Sequence, residues 1–279
     1  MTFGERLRQA IAERGRLCVG IDPHQSVLDG WELDASASGA REFGLRVVHA
    51  AAGRVAVVKP QVAFFERWGA AGFVALEDVI AAARAAGLLV IADAKRGDIG
   101  STMDAYARGW FTPGAPLEVD AITVNPYLGV GALEGTFSLA LEHDKGVFVL
   151  AATSNSEAEV IQRAAAGTRT VAGVVAEDVR AFNERSTAPG EWAGIGLVVG
   201  ATVDLERAGI DERMLPTAPI LAPGFGAQGA RLADYRSLFG PLAPAVLANE
   251  SRGIVLGGAK ELVARIDSRQ AELREADRG

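Results

Sequence analysis

The chain has 279 residues, 49% of them hydrophobic, with 33 glycines and a formal net charge of −7. The negative surplus argues against a nucleic-acid or anionic-membrane partner, and the composition is that of a globular protein. No apolar run is long enough to span a bilayer, the charged N-terminus MTFGERLRQAIAERGR lacks the apolar segment of a secretion signal, and one cysteine excludes an internal disulfide, so a cytoplasmic protein is expected.

No linker or shift in composition divides residues 1–279, which are read as a single domain opening on an N-terminal helix. Short apolar runs then recur with helical stretches between them. The spacing predicts strands at Leu17–Ile21, Val55–Val58, Leu88–Ala92, Ala121–Val124, Val147–Leu150, Ile195–Val199, Ile220–Ala222 and Val246–Ala248. Cys18 sits inside the first run, where packing is its expected role. Ala-rich segments with helical periodicity, Ala70–Ala86, Gly129–Glu142 and Glu157–Ala166, separate the runs. Eight such units predict a closed (β/α)₈ barrel of the TIM type rather than an open sheet. Two connections, His24–Gly39 and the charged Glu177–Trp192, are longer than the rest and are read as elaborated loops or extra helices.

In such a barrel chemistry sits where the strands end. Nearly every predicted strand exits into a polar or ionisable group: Asp22, Lys59 with Gln61, Asp93 with Lys95 and Asp98, Asn125, Thr153-Ser154-Asn155, Gly200-Ala201-Thr202, Pro223-Gly224 with Gln228, and Asn249 to Arg252. Each alone has an ordinary explanation, such as Asn125-Pro126 as a turn, Thr202 as a helix cap or Lys59 as a solvated lysine. Together they are difficult to explain as chance.

The third exit, LLVIADAKRGDIGST over residues 88–102, is the most informative. A buried strand that ends in Asp-x-Lys sets charges beside a low-dielectric core, where they must pair or shift their pKa values. Side chains at i and i+2 share a strand face, so Asp93 and Lys95 are expected to project together. Asp98 lies past the turn, where it either folds back or reaches another subunit.

The last two exits resemble a phosphate site. APGFGAQG offers glycines that let a ligand approach the backbone, N–H groups opening a helix, and Gln228 as a neutral donor. NESRG offers Arg252, whose planar fork suits phosphate. Gly224, Gly226 and Gly229 also satisfy G-x-G-x-x-G, but the motif lies near the chain end with no acidic strand terminus at the required distance, which argues against a dinucleotide fold. The three histidines, His24, His49 and His143, are far apart without ligand spacing, so no metal site is expected. Ser154 has no evident His partner and is read as a hydrogen-bonding hydroxyl.

Asp93-Ala-Lys95-Arg-Gly-Asp98-Ile99 with Thr102, preceded by Lys59 in KPQVAFFE, resembles the signature of orotidine 5′-phosphate decarboxylases, in particular their longer bacterial subgroup. The resemblance covers most of the chain, taking in Asp22, Ser154, Gln228 and Arg252; the eighth exit reads Asn249-Glu250-Ser251-Arg252-Gly253 instead of the commoner G-R-S. It implies a homodimeric (β/α)₈ barrel that converts orotidine 5′-phosphate to UMP and CO₂ in pyrimidine synthesis without metal or organic cofactor. It further implies that Lys59, Asp93, Lys95 and Asp98 form an alternating charge array. The substrate would be held by Asp22, Lys59, Ile99, Thr102, Ser154, Pro223, Gln228 and Arg252, with Asp98 and Thr102 contributed across the dimer interface. The nearest alternatives are a Mg²⁺-dependent sugar-phosphate lyase or decarboxylase of a related barrel, disfavoured because the second strand ends in Lys59 and not an acid, and a catalytically inactive nucleotide-binding module.

Overall fold

The computed structural model describes residues 1–211 and 217–278. Eight parallel strands close into a barrel: β1 (Leu17–Ile21), β2 (Val57–Pro60), β3 (Leu89–Arg96), β4 (Ala121–Val124), β5 (Gly146–Ala152), β6 (Ile195–Val199), β7 (Ile220–Pro223) and β8 (Val246–Glu250). Each pairs with its neighbours in sequence, and the register Leu17↔Ala248 joins β1 to β8. The predicted (β/α)₈ barrel is therefore present.

Strand parity sorts the side chains. Outward residues such as Leu17, Val19, Val58, Val90, Ile122 and Val147 are buried under the helices, while Cys18, Val57, Leu89, Ile91, Ala121, Phe148, Val198, Leu221 and Leu247 fill the barrel interior. The N-terminal helix Phe3–Arg14 seals the bottom. Its Phe3 and Leu7 belong to the interior cluster, and the Phe3 ring meets Phe148 edge-on at 6.1 Å. Gly146 makes this approach possible, since a Cβ there would lie 2.2 Å from the Phe3 ring. Among the described residues no helix is long and apolar enough to cross a membrane.

Several boundaries differ from the prediction. β2 and β8 run on through Lys59-Pro60 and Asn249-Glu250, and β3 continues to Arg96, so the charged rim belongs to the strands themselves. Hydropathy ends at the first charge, but the backbone ladder does not. The predicted helix Glu157–Ala166 is mostly absent: a 3₁₀ turn, the one-turn helix Glu159–Gln162 and a two-residue hairpin, Ala165–Ala166 with Arg169–Thr170, take its place. Gly167, at φ +67°, makes the hairpin turn, and Thr170 caps the next helix by accepting from Gly173 N at 2.9 Å. The helix that covers β5 is Val171–Ser186, so the charged connection 177–192 is half helix. The stretch 24–39 holds a short helix, Gln25–Gly30, and the capped start of Ala37–Ala51. Thr202 is not a cap; Asp204 accepts from Arg207 N instead.

At the N-terminal face of the barrel a buried ion cluster ties three connections together. Lys145 donates to Glu118 at 2.7 Å, Arg84 approaches the same carboxylate at 2.9 Å, and Gly114 N donates to it at 2.8 Å. Burial would raise the Glu118 carboxyl, but these partners outweigh it and hold the pKa at about 2. A depressed folded pKa contributes stability above the ordinary carboxylate value that is lost as pH falls through the folded one. Glu118→Gln should therefore destabilise the fold at pH 7 by about 3 kcal/mol, as expected for removing one partner of a buried pair. In chemical denaturation, the gap from the native chain should close as pH falls from about 4.5 to about 2.

Candidate active site

The parity that packs the interior also builds the site. Along β3 the inward series runs Leu89, Ile91, Asp93, and along β2 it runs Val57, Lys59, with Gln61 following; on β4 it runs Ala121, Thr123. Apolar residues at the bottom thus give way to charged ones at the C-terminal rim, around a cavity of about 310 Å³.

Asp93 is the hub. Its Oδ2 accepts from Lys59 Nζ at 2.8 Å, and its Oδ1 accepts from Lys95 Nζ at 2.6 Å and from Thr123 Oγ1 at 2.8 Å. Lys59 and Asp93 are only 4% and 9% exposed, whereas the Lys95 side chain is 45% exposed and opens to the cavity. Burial alone would raise the Asp93 carboxyl, but Lys59 and Lys95 hold it below the ordinary carboxylate range. Burial alone would lower the Lys59 ammonium, but Asp93 and then Asp22 hold it above the usual lysine value. The buried pair therefore stays ionised across the neutral range. Beneath it, burial pushes the Cys18 thiol up to about 12, which keeps this sulfur unreactive.

Lys95 does not reach Asp93 by simple alternation. The β3–β4 register shifts between Ala92 and Arg96, and Lys95 has φ +48°, the left-handed region that a side-chain-bearing residue enters at a cost. Thr123 Oγ1 fixes that turn by accepting from Lys95 N at 3.0 Å while donating to Asp93. Gly97 follows because the chain passes so close to β4 that a Cβ would lie 2.4 Å from the Asn125 carbonyl oxygen. Asn125 itself makes the expected turn, with Oδ1 accepting from Tyr127 N at 3.1 Å.

The other walls come from the remaining exits. Ser154 Oγ donates to Gln228 Oε1 at 2.7 Å across the mouth, and Pro223 and Arg252 complete that end. APGFGAQG does not open a helix as predicted; it closes on itself, Gly226 N donating to Ala230 O at 2.9 Å and Gly229 N to Gly226 O at 3.0 Å. Asp22 Oδ1, Asn249 Oδ1 and Ser251 Oγ face the cavity as buried atoms without a hydrogen-bond partner. Buried polar atoms rarely remain so, and a polar ligand would satisfy them.

The fold thus gathers Asp22, Lys59, Asp93, Lys95, Ser154, Pro223, Gln228 and Arg252 around one cavity. Asp98, Ile99 and Thr102 do not line it. They lie past the turn and at the start of the helix Gly100–Phe111, with Ile99 61% exposed and Asp98 Oδ1 accepting from Ile99 N. Sequence reasoning missed Thr123, although it sits two residues after an interior alanine, and it missed the apolar lining residues Leu150, Val198, Leu221 and Phe225. Among the described residues no three His, Cys, Asp or Glu side chains are grouped to hold a metal ion.

Residues 15–259 match the family model described as "Orotidine 5'-phosphate decarboxylase / HUMPS family". Two relatives named orotidine 5′-phosphate decarboxylase are 52% identical over 92% of this chain and 91% of the protein from Salinispora arenicola, and 50% identical over 91% of each chain for Nocardioides sp.. Among solved structures, a Streptomyces avermitilis protein solved as a candidate orotidine 5′-phosphate decarboxylase superposes with a TM-score of 0.93 at 45% identity, covering 100% of this chain and 96% of that one. The OMP decarboxylase of Leishmania donovani gives 0.80 at 32% identity, with 100% of each chain covered. The chain belongs to the orotidine 5′-phosphate decarboxylase / HUMPS family.

Proposed function

We propose that this chain is the orotidine 5′-phosphate decarboxylase of pyrimidine synthesis, converting its substrate to UMP and CO₂ in the cytoplasm, on a single barrel domain and without metal or organic cofactor. The observation that carries the reading is the Lys59–Asp93–Lys95 chain of ion pairs at the cavity floor.

Loss of CO₂ from C6 of the pyrimidine leaves an electron pair in the ring plane, where the π system cannot delocalise it. Stabilisation has to be electrostatic, and the barrier reduction required is on the order of 20 kcal/mol or more. Lys95, charged and open to the cavity, is the group to face C6. As the C6–CO₂ bond breaks heterolytically its ammonium stabilises the carbanion, then transfers a proton from Nζ to C6 and recovers one from solvent. Asp93, beside it, repels the substrate carboxylate until CO₂ departs. Lys59 keeps Asp93 ionised and, with Asp22, Asp98 and Thr102, takes the ribose hydroxyls. Ser154 takes the pyrimidine, Ile99 and Pro223 supply contact surface, and Gln228 and Arg252 take the 5′-phosphate, so that binding energy remote from C6 offsets the strain there.

A homodimer completes this assignment. Asp98, Ile99 and Thr102 lie off their own cavity, with exposed Tyr106 one turn further along the same helix, and an adjacent subunit would receive them. The Mg²⁺-dependent sugar-phosphate reading is less well supported. It needs several free carboxylates at one point, whereas both Asp93 oxygens are engaged by ammonium or hydroxyl donors, β2 presents Lys59, and Asp22 is left as a single carboxylate on the cavity. An inactive nucleotide-binding module would have no use for a buried charge chain maintained at this cost.

The direct test is spectrophotometric decarboxylation of orotidine 5′-phosphate in the presence of EDTA; turnover should persist, and none at all would overturn the proposal. Lys95→Ala should abolish kcat yet leave thermal stability near that of the native chain, since a half-exposed side chain is lost and Asp93 keeps Lys59. Arg252→Ala should instead raise KM strongly with a smaller effect on kcat. Mixing inactive Lys95→Ala and Asp98→Ala subunits should restore up to about a quarter of native activity, because half of a randomised population of two-fold dimers carries one intact shared site. No recovery in subunits shown to exchange would place Asp98 in its own subunit's site.

A further inference from the structure

Behind the phosphate end of the cavity lies a buried acid that the proposed chemistry does not use. Glu250, the last residue of β8, is 1% exposed and, by strand parity, points outward between Asn249 and Ser251, which line the cavity. Its Oε2 lies at ion-pair distance, 3.2 Å, from Arg269 Nε on the C-terminal helix Leu262–Arg278, and neither carboxylate oxygen has a hydrogen-bond partner. Oε1 is wedged between two glycine backbones: a Cβ would meet it at 2.4 Å from Gly226 and at 1.9 Å from Gly253. Gly226, at φ +72°, shapes the turn that carries Gln228, and Gly253 adjoins Arg252.

The contact continues beyond Arg269. Arg269 Nη1 lies 3.3 Å from Glu272 Oε2, and Glu272 Oε1 accepts from Ala233 N at 3.2 Å, just past the Gln228 turn. A chain of carboxylate, guanidinium and carboxylate therefore brackets that turn from both sides. Arg269 and Glu272 lie outside residues 15–259, the span matched by the family model. Burying such a pair is costly, and apolar side chains of similar volume often do as well or better for stability. Burial raises the Glu250 carboxyl against the pull of Arg269, consistent with that cost.

We propose that Glu250 is a positioning residue that sets the spacing of Gln228 and Arg252 on the substrate phosphate, braced by Arg269 and Glu272 of the C-terminal helix. This rests on the assignment of Gln228 and Arg252 to the phosphate. The glycines are required because the wedge leaves no room for a Cβ, and the wedge holds two separate strand exits in one arrangement.

The test compares orotidine 5′-phosphate with orotidine, which lacks the phosphate. Native turnover of the phosphorylated substrate is measured first; its absence would sink the functional reading and not this one. Given that turnover, Glu250→Ala should raise KM for orotidine 5′-phosphate by roughly tenfold with kcat within about twofold, the pattern of displaced binding groups. Over the same comparison, kcat/KM for orotidine should stay within about twofold of native, since that substrate never engages the turns. Arg269→Ala, at a site one-third exposed, repeats the measurement without opening a buried void and should act in the same direction. Equal losses on both substrates would reduce Glu250 to a general stabiliser, and an unchanged KM for orotidine 5′-phosphate would remove its role.

Discussion

Asp93 receives three donors on two oxygens, and the geometry of the barrel rim follows from that constraint. A carboxylate this deeply buried is tolerated only if its partners are held in place, because stripping water from it costs several kcal/mol before any pairing is counted. β2 supplies Lys59, β4 supplies Thr123 and β3 bends to return Lys95, so three adjacent strands must keep their register for the charges to balance. The positive φ at Lys95 is part of the same arrangement, a local strain held by a hydroxyl that accepts from its N–H.

The environment of this array is as important as its members. Below it the barrel is packed and apolar, closed by the Phe3–Phe148 contact, while above it the cavity is lined by polar groups from four other exits, those of β1, β5, β7 and β8. Charges between a low-dielectric floor and a polar wall interact more strongly than they would in water, and their dipoles need not reorient when charge develops on a ligand. One buried pair and one ammonium open to the cavity divide the work. Lys59 keeps the hub ionised, and Lys95 remains available to a substrate.

The end of the cavity that carries Gln228 and Arg252 is built differently. Gln228 stands on an exposed turn and Arg252, also exposed, opens the one-turn helix Arg252–Val255, so precision has to come from behind. The nearby glycines Gly226 and Gly253 pack against Glu250, which pairs with Arg269, so the C-terminal helix reaches the wall of the site. The Asp93 hub and the Glu250 wedge thus lie at opposite ends of one cavity.

The eight strands, their order and the exits that carry chemistry were legible in the amino-acid sequence, because apolar runs at βα spacing leave few alternatives to a closed parallel barrel. DAKRGD and KPQ were equally legible, since charges placed directly after buried strands are unusual enough to read. Parity along β4 contained the signal for Thr123, but one threonine in a four-residue run has no distinguishing mark. Other features depended on contacts between residues distant in sequence: the left-handed turn at Lys95, the helix at 171–186 in place of one at 157–166, the outward position of Asp98 and the wedge of Glu250 under Gly226 and Gly253. Hydropathy and spacing determine which residues are buried and on which strand they end, because those are properties of one segment at a time. Which charge meets which carboxylate was decided only by the closed barrel, because pairing energy depends on distances that the chain acquires when its strands are side by side.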